Sequence, residues 1–301
     1  MAQMRGVYTI PVTPFDRNGN NIDEDSLKNQ VNWCVLAGAH GVVAPVNASE
    51  GPTLTDDERR RVTRIVVETV DKRVPVVIGV SGVSQQSAVL YARYARQVGA
   101  DSVIAMPPYG VRVTEPETIF AYYQAVADAA DGLPVWIQNW SGPIGTVMGV
   151  PQLVRMLQEI DNVSYVKEES GNALHMMTEI IARAGEACEG VMGGMGGKYL
   201  MNEASRGACG TMPACHVTDV HVSLWNALEA GNADKARRIY NRMLPLLNFE
   251  SAFAGACYKE VLRRRGVIAN ATMRGRRDAL DQFDHKELDA ILRDLEDLYS
   301  I

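Results

Sequence analysis

The chain has 301 residues, 47% hydrophobic and 22% charged, which is ample for a packed core and excludes a wholly disordered chain. Its 30 Lys and Arg residues against 36 Asp and Glu give a net charge of −6, so the basic footprint that nucleic acid or anionic lipid requires is missing. No stretch approaches the ~20 apolar residues of a membrane span and Met1–Thr9 lacks a secretory apolar region, so a cytoplasmic protein without nucleic-acid or membrane partners is expected.

In chain order, short and continuously apolar runs alternate with amphipathic stretches. The expected strands are Gly6–Val12, Gly41–Val46, Val74–Val80, Asp101–Met106, Leu133–Asn139, Val163–Lys167, Ala187–Met192 and Ala208–Pro213. Such runs suit parallel strands buried on both faces. The helices between them are well punctuated. Thr55 and Glu58 form a capping-box pattern, Ser84 opens the next helix, and Pro116 and Pro151 each stand near a helix start. Gly38, Gly99 and Gly207 fall where helices should stop before strands.

Eight strand–helix units predict a closed (β/α)8 TIM barrel. A doubly wound open sheet fits less well, because no G-x-G-x-x-G follows the first strand and Gly79-Val-Ser-Gly82 lacks the third glycine. From about Val217 to Ile301 the pattern reads as helix only, with Gly231 and Gly266 as stops and Arg263-Arg264-Arg265 in a last helical turn. The division expected is a catalytic barrel over residues 1–216 and a C-terminal helical domain over 217–301. The five cysteines are odd in number, scattered and without a C-x-x-C, so neither a disulfide framework nor a zinc site is expected.

In such barrels the chemistry lies at the C-terminal strand ends. These read Asn47-Ala48-Ser49-Glu50, Pro107-Pro-Tyr109, Gln138-Asn139-Trp140, Lys167-Glu-Glu-Ser-Gly171 and the glycine cluster Gly193–Gly197. Of seven lysines, Lys167 alone ends an apolar strand, where alternation points it into the barrel mouth. A desolvated amine there would be a nucleophile towards carbonyls. The competing reading is a lysine that escapes to solvent or pairs with Glu168 or Glu169, and spacing leaves the two about even. Cys215, His216, Asp219 and His221 offer four potential metal ligands in one loop, but at a spacing that matches no helical face, so no metal and no cofactor are expected. The glycine cluster around Gly194 could cradle a phosphate or form a tight turn that lets substrate approach the backbone.

Together these residues resemble the dihydrodipicolinate synthase / N-acetylneuraminate lyase superfamily of class I Schiff-base lyases. The resemblance rests on Pro11-Val-Thr-Pro-Phe15, Ser49-Glu50 followed by Leu54-Thr55-x-x-Glu58, Pro107-x-Tyr109 and Val166-Lys167-Glu168-x-x-Gly171-Asn172. It implies that Lys167 forms an imine with the C2 carbonyl of a 2-oxo acid. It also implies that Tyr109 reaches a neighbouring subunit's site in a homotetramer built as a dimer of dimers.

Departures from the family pattern matter. Both motif threonines of the strand-2 end are missing, so carboxylate binding would rest on the N–H groups of Ala48 and Ser49 and the Ser49 hydroxyl. The strand-5 tyrosine relay aligns with Gln138, which cannot do acid–base work itself but, like Asn139, could hold an ordered water. The synthase's arginine aligns near Pro143, which argues against synthase activity. The sequence is more similar to the subgroup resembling L-2-keto-3-deoxyarabonate dehydratase, through Asn-x-Ser-Glu, the strand-5 Gln, Met106-Pro-Pro-Tyr109, Gly145-Thr146 and Leu244-Pro-Leu-Leu-Asn-x-Glu250.

The function expected is dehydration of a 2-keto-3-deoxy sugar acid, with Lys167, Tyr109 and Gln138 catalytic and Ala48, Ser49, Asn139 and Gly194 binding substrate. Retro-aldol cleavage, deamination of a cyclic imine acid, and a degenerate barrel that only binds a 2-oxo acid are the alternatives.

Overall fold

The computed structural model describes residues 3–110, 112–142, 146–274 and 279–301. Eight parallel strands close into a barrel in sequential order: β1 (Gly6–Thr9), β2 (Gly41–Ala44), β3 (Val76–Gly79), β4 (Ser102–Ala105), β5 (Val135–Trp140), β6 (Val163–Glu169), β7 (Gly190–Gly193) and β8 (Gly210–Thr211). Pairing of Gly6 with Gly210 completes the ring. The paired segments are mostly shorter than the apolar runs in the sequence, since a run keeps its apolar character past the point where neighbouring strands pair. β6 is the exception and runs two residues further, through Glu168 and Glu169.

Helices α1 (Glu24–Leu36), α2 (Asp56–Val70), α3 (Gln85–Val98), α4 (Pro116–Ala130), α5 (Val150–Glu159), α6 (Ala173–Ala184), α7 (Leu200–Ser205) and α8 (Thr218–Glu229) surround it. Their starts follow the sequence signals. Thr55 and Glu58 form a reciprocal capping box on α2, the Ser84 side chain caps α3, and Pro116 and Pro151 occupy first-turn positions.

The strand period divides the core in two. Tyr8, Val43, Val77, Ile104, Trp136, Tyr165 and Met192 point inward and fill the barrel floor. Trp136 stacks on Tyr165 with ring centroids 4.2 Å apart. The intervening residues, among them Val42, Ile78, Val103, Ile137 and Val166, face the helices. A floor packed with large side chains leaves open space at the C-terminal mouth.

Beyond α8 lie α9 (Ala233–Phe253), α10 (Gly255–Arg264) and α11 (Gln282–Arg293). α8 packs on both β1 and α9, and one apolar cluster joins Val7 and Leu200 of the barrel to Trp225, Met243, Leu247 and Leu288. The tail is not helix throughout: the described residues from Gly266 to Asp281 are irregular, and this stretch carries Met273 over the barrel mouth. The arginine triplet does more than complement a helix end. Arg263 and Arg264 pair with Glu260, and Arg265 holds Asp219 through two hydrogen bonds of 3.0 and 2.7 Å. All five cysteines are free thiols.

Candidate active site

A cavity of about 460 Å³ opens at the C-terminal ends of the strands. Its size is that of a small-molecule site. Alternation along β6 decides its chemistry. Tyr165 enters the floor, Lys167 and Glu169 follow on the same face and line the cavity, and Val166 and Glu168 turn outward. Lys167 Nζ lies 3.1 Å from Glu169 Oε2, both side chains under 10% exposed. The two readings left open by spacing therefore hold together: the lysine points inward and is paired there.

The register of β5 on β6 sets Gln138 opposite Lys167, Asn139 opposite Glu168 and Trp140 opposite Glu169. Gln138 faces the cavity and donates to Glu169 Oε2 at 2.7 Å. Asn139 points away from it. Its amide donates to Met148 O and Glu168 Oε2, and its carbonyl accepts from Met148 N–H, so it cannot hold a water over the substrate as expected. Burial pushes the Glu168 carboxyl above its ordinary range, against the hydrogen bonds from Ser170 and Asn139.

The strand-2 end forms a tight turn over Asn47–Ser49. Asn47 and Ala48 line the cavity. Ser49 does not serve as expected: its N–H donates to Val46 O at 3.0 Å and its hydroxyl to Pro11 O at 2.7 Å. The N–H groups of Asn47 and Ala48, first in the turn, find no acceptor within the turn itself.

Gly194 is likewise displaced from the expected role. A Cβ on Gly194 would overlap the Glu169 carboxyl, so this glycine makes room for Glu169 rather than for substrate. Met195 N–H donates to Glu169 Oε1 at 3.0 Å, and Gly196 is the residue of this loop that, with Met195, lines the cavity.

Tyr109 lies outside the main cavity, in a narrow cleft with Arg59, Ser81 and Met106 that adjoins it through Asn47 and Gln138. The ligand-like run after β8 diverges: Cys215 faces Gln30, Asp219 holds Arg265, and His221 Nε2 meets Gly196 O at 2.8 Å. Among the described residues no three such side chains converge on a metal-sized point. Pro143 and Gly145 lie outside the described residues.

Three features of the mouth lie outside the expected set of site residues. Glu169 was legible, since it repeats the Lys167 face two residues on. Glu50, which lines the cavity, is paired with the buried Lys259 of α10, while Lys259 also donates to Thr272 O at 2.7 Å. Burial lowers the Lys259 ammonium despite that carboxylate. The third is the wall contributed by the tail through Ala254, Gly255, Tyr258 and Met273. No local pattern announces either of these, because the partners lie about 200 residues apart in sequence.

The sixth strand of the barrel thus carries an inward lysine paired with a buried carboxylate. The dihydrodipicolinate synthetase family model matches residues 3–295. The chain belongs to this family. It is 35% identical over 297 residues to an L-2-keto-3-deoxyarabonate dehydratase of Azospirillum brasilense, covering 98% of this chain and 95% of that protein. It is 31% identical over 251 residues to a 4-hydroxy-tetrahydrodipicolinate synthase of Syntrophobacter fumaroxidans, covering 80% and 81%. Among solved structures, a dihydrodipicolinate synthase from Rhodopseudomonas palustris superposes with a TM-score of 0.89 at 25% identity, covering 97% of this chain and 98% of that one. A structure from Pseudomonas aeruginosa described as a putative dihydrodipicolinate synthetase gives 0.90 at 27%, covering 97% and 99%. No helix among the described residues of this family member is long and apolar enough to cross a membrane.

Proposed function

We propose that the protein is a Schiff-base lyase that removes water from a 2-keto-3-deoxy sugar acid, of which L-2-keto-3-deoxyarabonate is an example. The observation that carries this reading is the buried Lys167–Glu169 pair, 3.1 Å apart on the cavity floor. Lys167 must shed a proton before it can attack a ketone, and Glu169 Oε2 is in reach to receive it. Nζ then bonds to the C2 carbon, and the carbonyl oxygen leaves as water with one proton from Nζ and the one returned by Glu169, so that a protonated imine and a Glu169 carboxylate result. The imine acts as an electron sink, so no cofactor is needed to acidify C3.

Glu169 as carboxylate takes the C3 proton, giving an enamine. The enamine expels the C4 hydroxyl, to which Glu169 returns the same proton, so one carboxyl completes the loss of water without net proton change. Hydrolysis of the imine frees Lys167. Gln138 and Met195 N–H fix the two Glu169 oxygens from opposite sides, which offers a replacement for the missing tyrosine relay. The substrate carboxylate is assigned to the Asn47 amide and the Ala48 N–H. The similarity to the Azospirillum dehydratase over almost the whole of both chains favours dehydration over carbon–carbon cleavage. Cleavage would use the same imine but needs a base at the C4 oxygen. A homotetramer is the assembly proposed, with Tyr109 serving across subunits rather than in its own site.

Two experiments test the reading. Borohydride with pyruvate should add one pyruvyl mass to the wild type and none to Lys167→Ala; no adduct with any 2-oxo acid would leave only the binding-barrel alternative. With 2-keto-3-deoxy pentonates and hexonates as substrates, a semialdehyde product is expected. Free pyruvate without semialdehyde would mean an aldolase, and ammonia release from a cyclic imine acid would mean a deaminase.

A further inference from the structure

We infer that Met273 is a specificity-determining residue that limits how far a substrate extends beyond the imine carbon, and that the buried Glu50–Lys259 pair is the positioning device that holds it there. This rests on the imine role proposed above for Lys167, which fixes C2 of the substrate at the strand ends. Lys167 and Gln138 line the cavity from that side, and Gly255, Tyr258 and Met273 line it from the tail. A substrate chain that grows from the lysine towards the tail therefore meets Met273. The thioether is bulky and a weak hydrogen-bond acceptor, so it restrains length by its volume.

Met273 belongs to a stretch without helix or strand, so contacts with the rest of the fold must secure its place. One ion pair holds both of its peptide groups. Lys259 Nζ donates to the Thr272 carbonyl, on one side of Met273, at 2.7 Å. Glu50 Oε2 accepts from the Arg274 N–H, on the other side, at 2.9 Å. Glu50 Oε1 takes Lys259 itself, and the Glu50 and Lys259 side chains are 9% and 1% exposed. A pair so far from water is exacting in its geometry, because either charge left alone would be costly. Glu50 also keeps a left-handed backbone, φ +54°, which a residue other than glycine retains only where its surroundings impose it.

The Arg274 side chain extends the clamp. Its guanidinium donates to both Glu58 oxygens, at 2.7 and 2.9 Å, and to the Gly19 and Asn20 carbonyls. It lies 4.2 Å from the centre of the Phe15 ring, and Lys259 Nζ lies 4.4 Å from the same ring. Phe15, Glu50 and Glu58, residues of sequence motifs that the imine chemistry leaves without a task, thus converge on this one strap. The Met273 side chain rests on Gly255, where a Cβ would come within 2.5 Å of its Cε and 3.1 Å of its Sδ. The glycine leaves the thioether its place in the wall.

Borohydride trapping on Lys167, followed by mass spectrometry over a range of ketone concentrations, reads the wall without knowledge of the natural substrate. Pyruvate stops at C3, whereas 2-oxooctanoate extends well beyond it, and the wild type should favour pyruvate. In Met273→Ala the trapping efficiency of 2-oxooctanoate relative to pyruvate should rise roughly tenfold, the low end of what one methylene decides in an apolar pocket, with pyruvate itself changed less than about threefold. Met273→Leu, of similar volume, should keep the wild-type ratio. Glu50→Gln sets an amide donor against a donor, so one of its two ties breaks and the ratio should rise as in Met273→Ala. A merely structural role would instead lower trapping of both acids alike. An unchanged ratio in either Met273→Ala or Glu50→Gln, or a wild type indifferent to length, would overturn the inference. A wild type that traps no 2-oxo acid would count against the Schiff-base reading. Hydrogen exchange needs no ligand and reads the clamp apart from that reading: residues 269–274 should exchange at least about tenfold faster in Glu50→Gln, and equal exchange would overturn the clamp.

Discussion

Glu203 offers the sharpest test of how burial shapes this barrel mouth. It lies on α7, is 2% exposed, and presses its carboxyl against Gly193, where a Cβ would overlap it. Its Oε2 has no hydrogen-bond partner among the described residues. Burial first, and the negative charge of Glu169 second, raise this carboxyl from 4.5 to about 8. A carboxyl raised in the folded state binds its proton more tightly there than in the unfolded chain. Its contribution is therefore most favourable below about pH 4.5 and is lost as pH climbs towards 8. At pH 7 the loss amounts to roughly 3 kcal/mol, at about 1.4 kcal/mol per unit of pH above the unfolded value. Glu203→Gln removes the titration while keeping the shape. The variant should match the wild type near pH 5 and exceed it by roughly 3 kcal/mol at pH 7. With an unfolding entropy of roughly 0.6 kcal/mol/K for a chain of this length, that is a gain of about 5 °C in Tm. Calorimetry at pH 5, 6, 7 and 8 measures it. A Tm difference that stays constant across those pH values would refute the reasoning.

Three further substitutions probe other parts of the molecule. Glu169→Gln should still trap pyruvate on Lys167 but turn over roughly 10²–10⁴-fold more slowly, as expected for loss of an acid–base group; an activity within a factor of ten of the wild type would exclude Glu169 from proton transfer. Trp136→Ala removes the largest side chain of the barrel floor and its stack on Tyr165, and should cost about 3–5 kcal/mol in urea unfolding. A cost below about 1 kcal/mol would mean that the floor is not packed as described. Asn139→Leu deprives Glu168 and Met148 of their amide partner and should lower stability by about 1–3 kcal/mol while leaving imine trapping intact. A variant of unchanged stability that fails to trap would instead return Asn139 to the substrate site.

Repeating local chemistry made much of this protein legible in its sequence. Apolar runs eight times over, separated by capped amphipathic stretches, determine a barrel, because strand and helix periods and the cap at Thr55 act within a few residues. The same alternation aims Lys167 inward, and it could equally have separated Gln138 from Asn139 and picked out Glu169. Side-chain commitments across the fold were not legible. Ser49 reads as an anion donor until Pro11 takes its hydroxyl, 38 residues away in sequence. Glu203, Glu250 and Lys259 carry no local sign of burial, and it is the packing of their helices on the rest of the fold that removes them from water. Desolvation and pairing depend on what lies within a few ångströms, and for these groups that neighbourhood is assembled from segments far apart in the chain. The sequence by itself determined the barrel and left an inward Lys167 as one of two readings. Only the tertiary structure decided which carboxyls share the mouth with that lysine and which of them carry a proton at neutral pH, since both follow from burial.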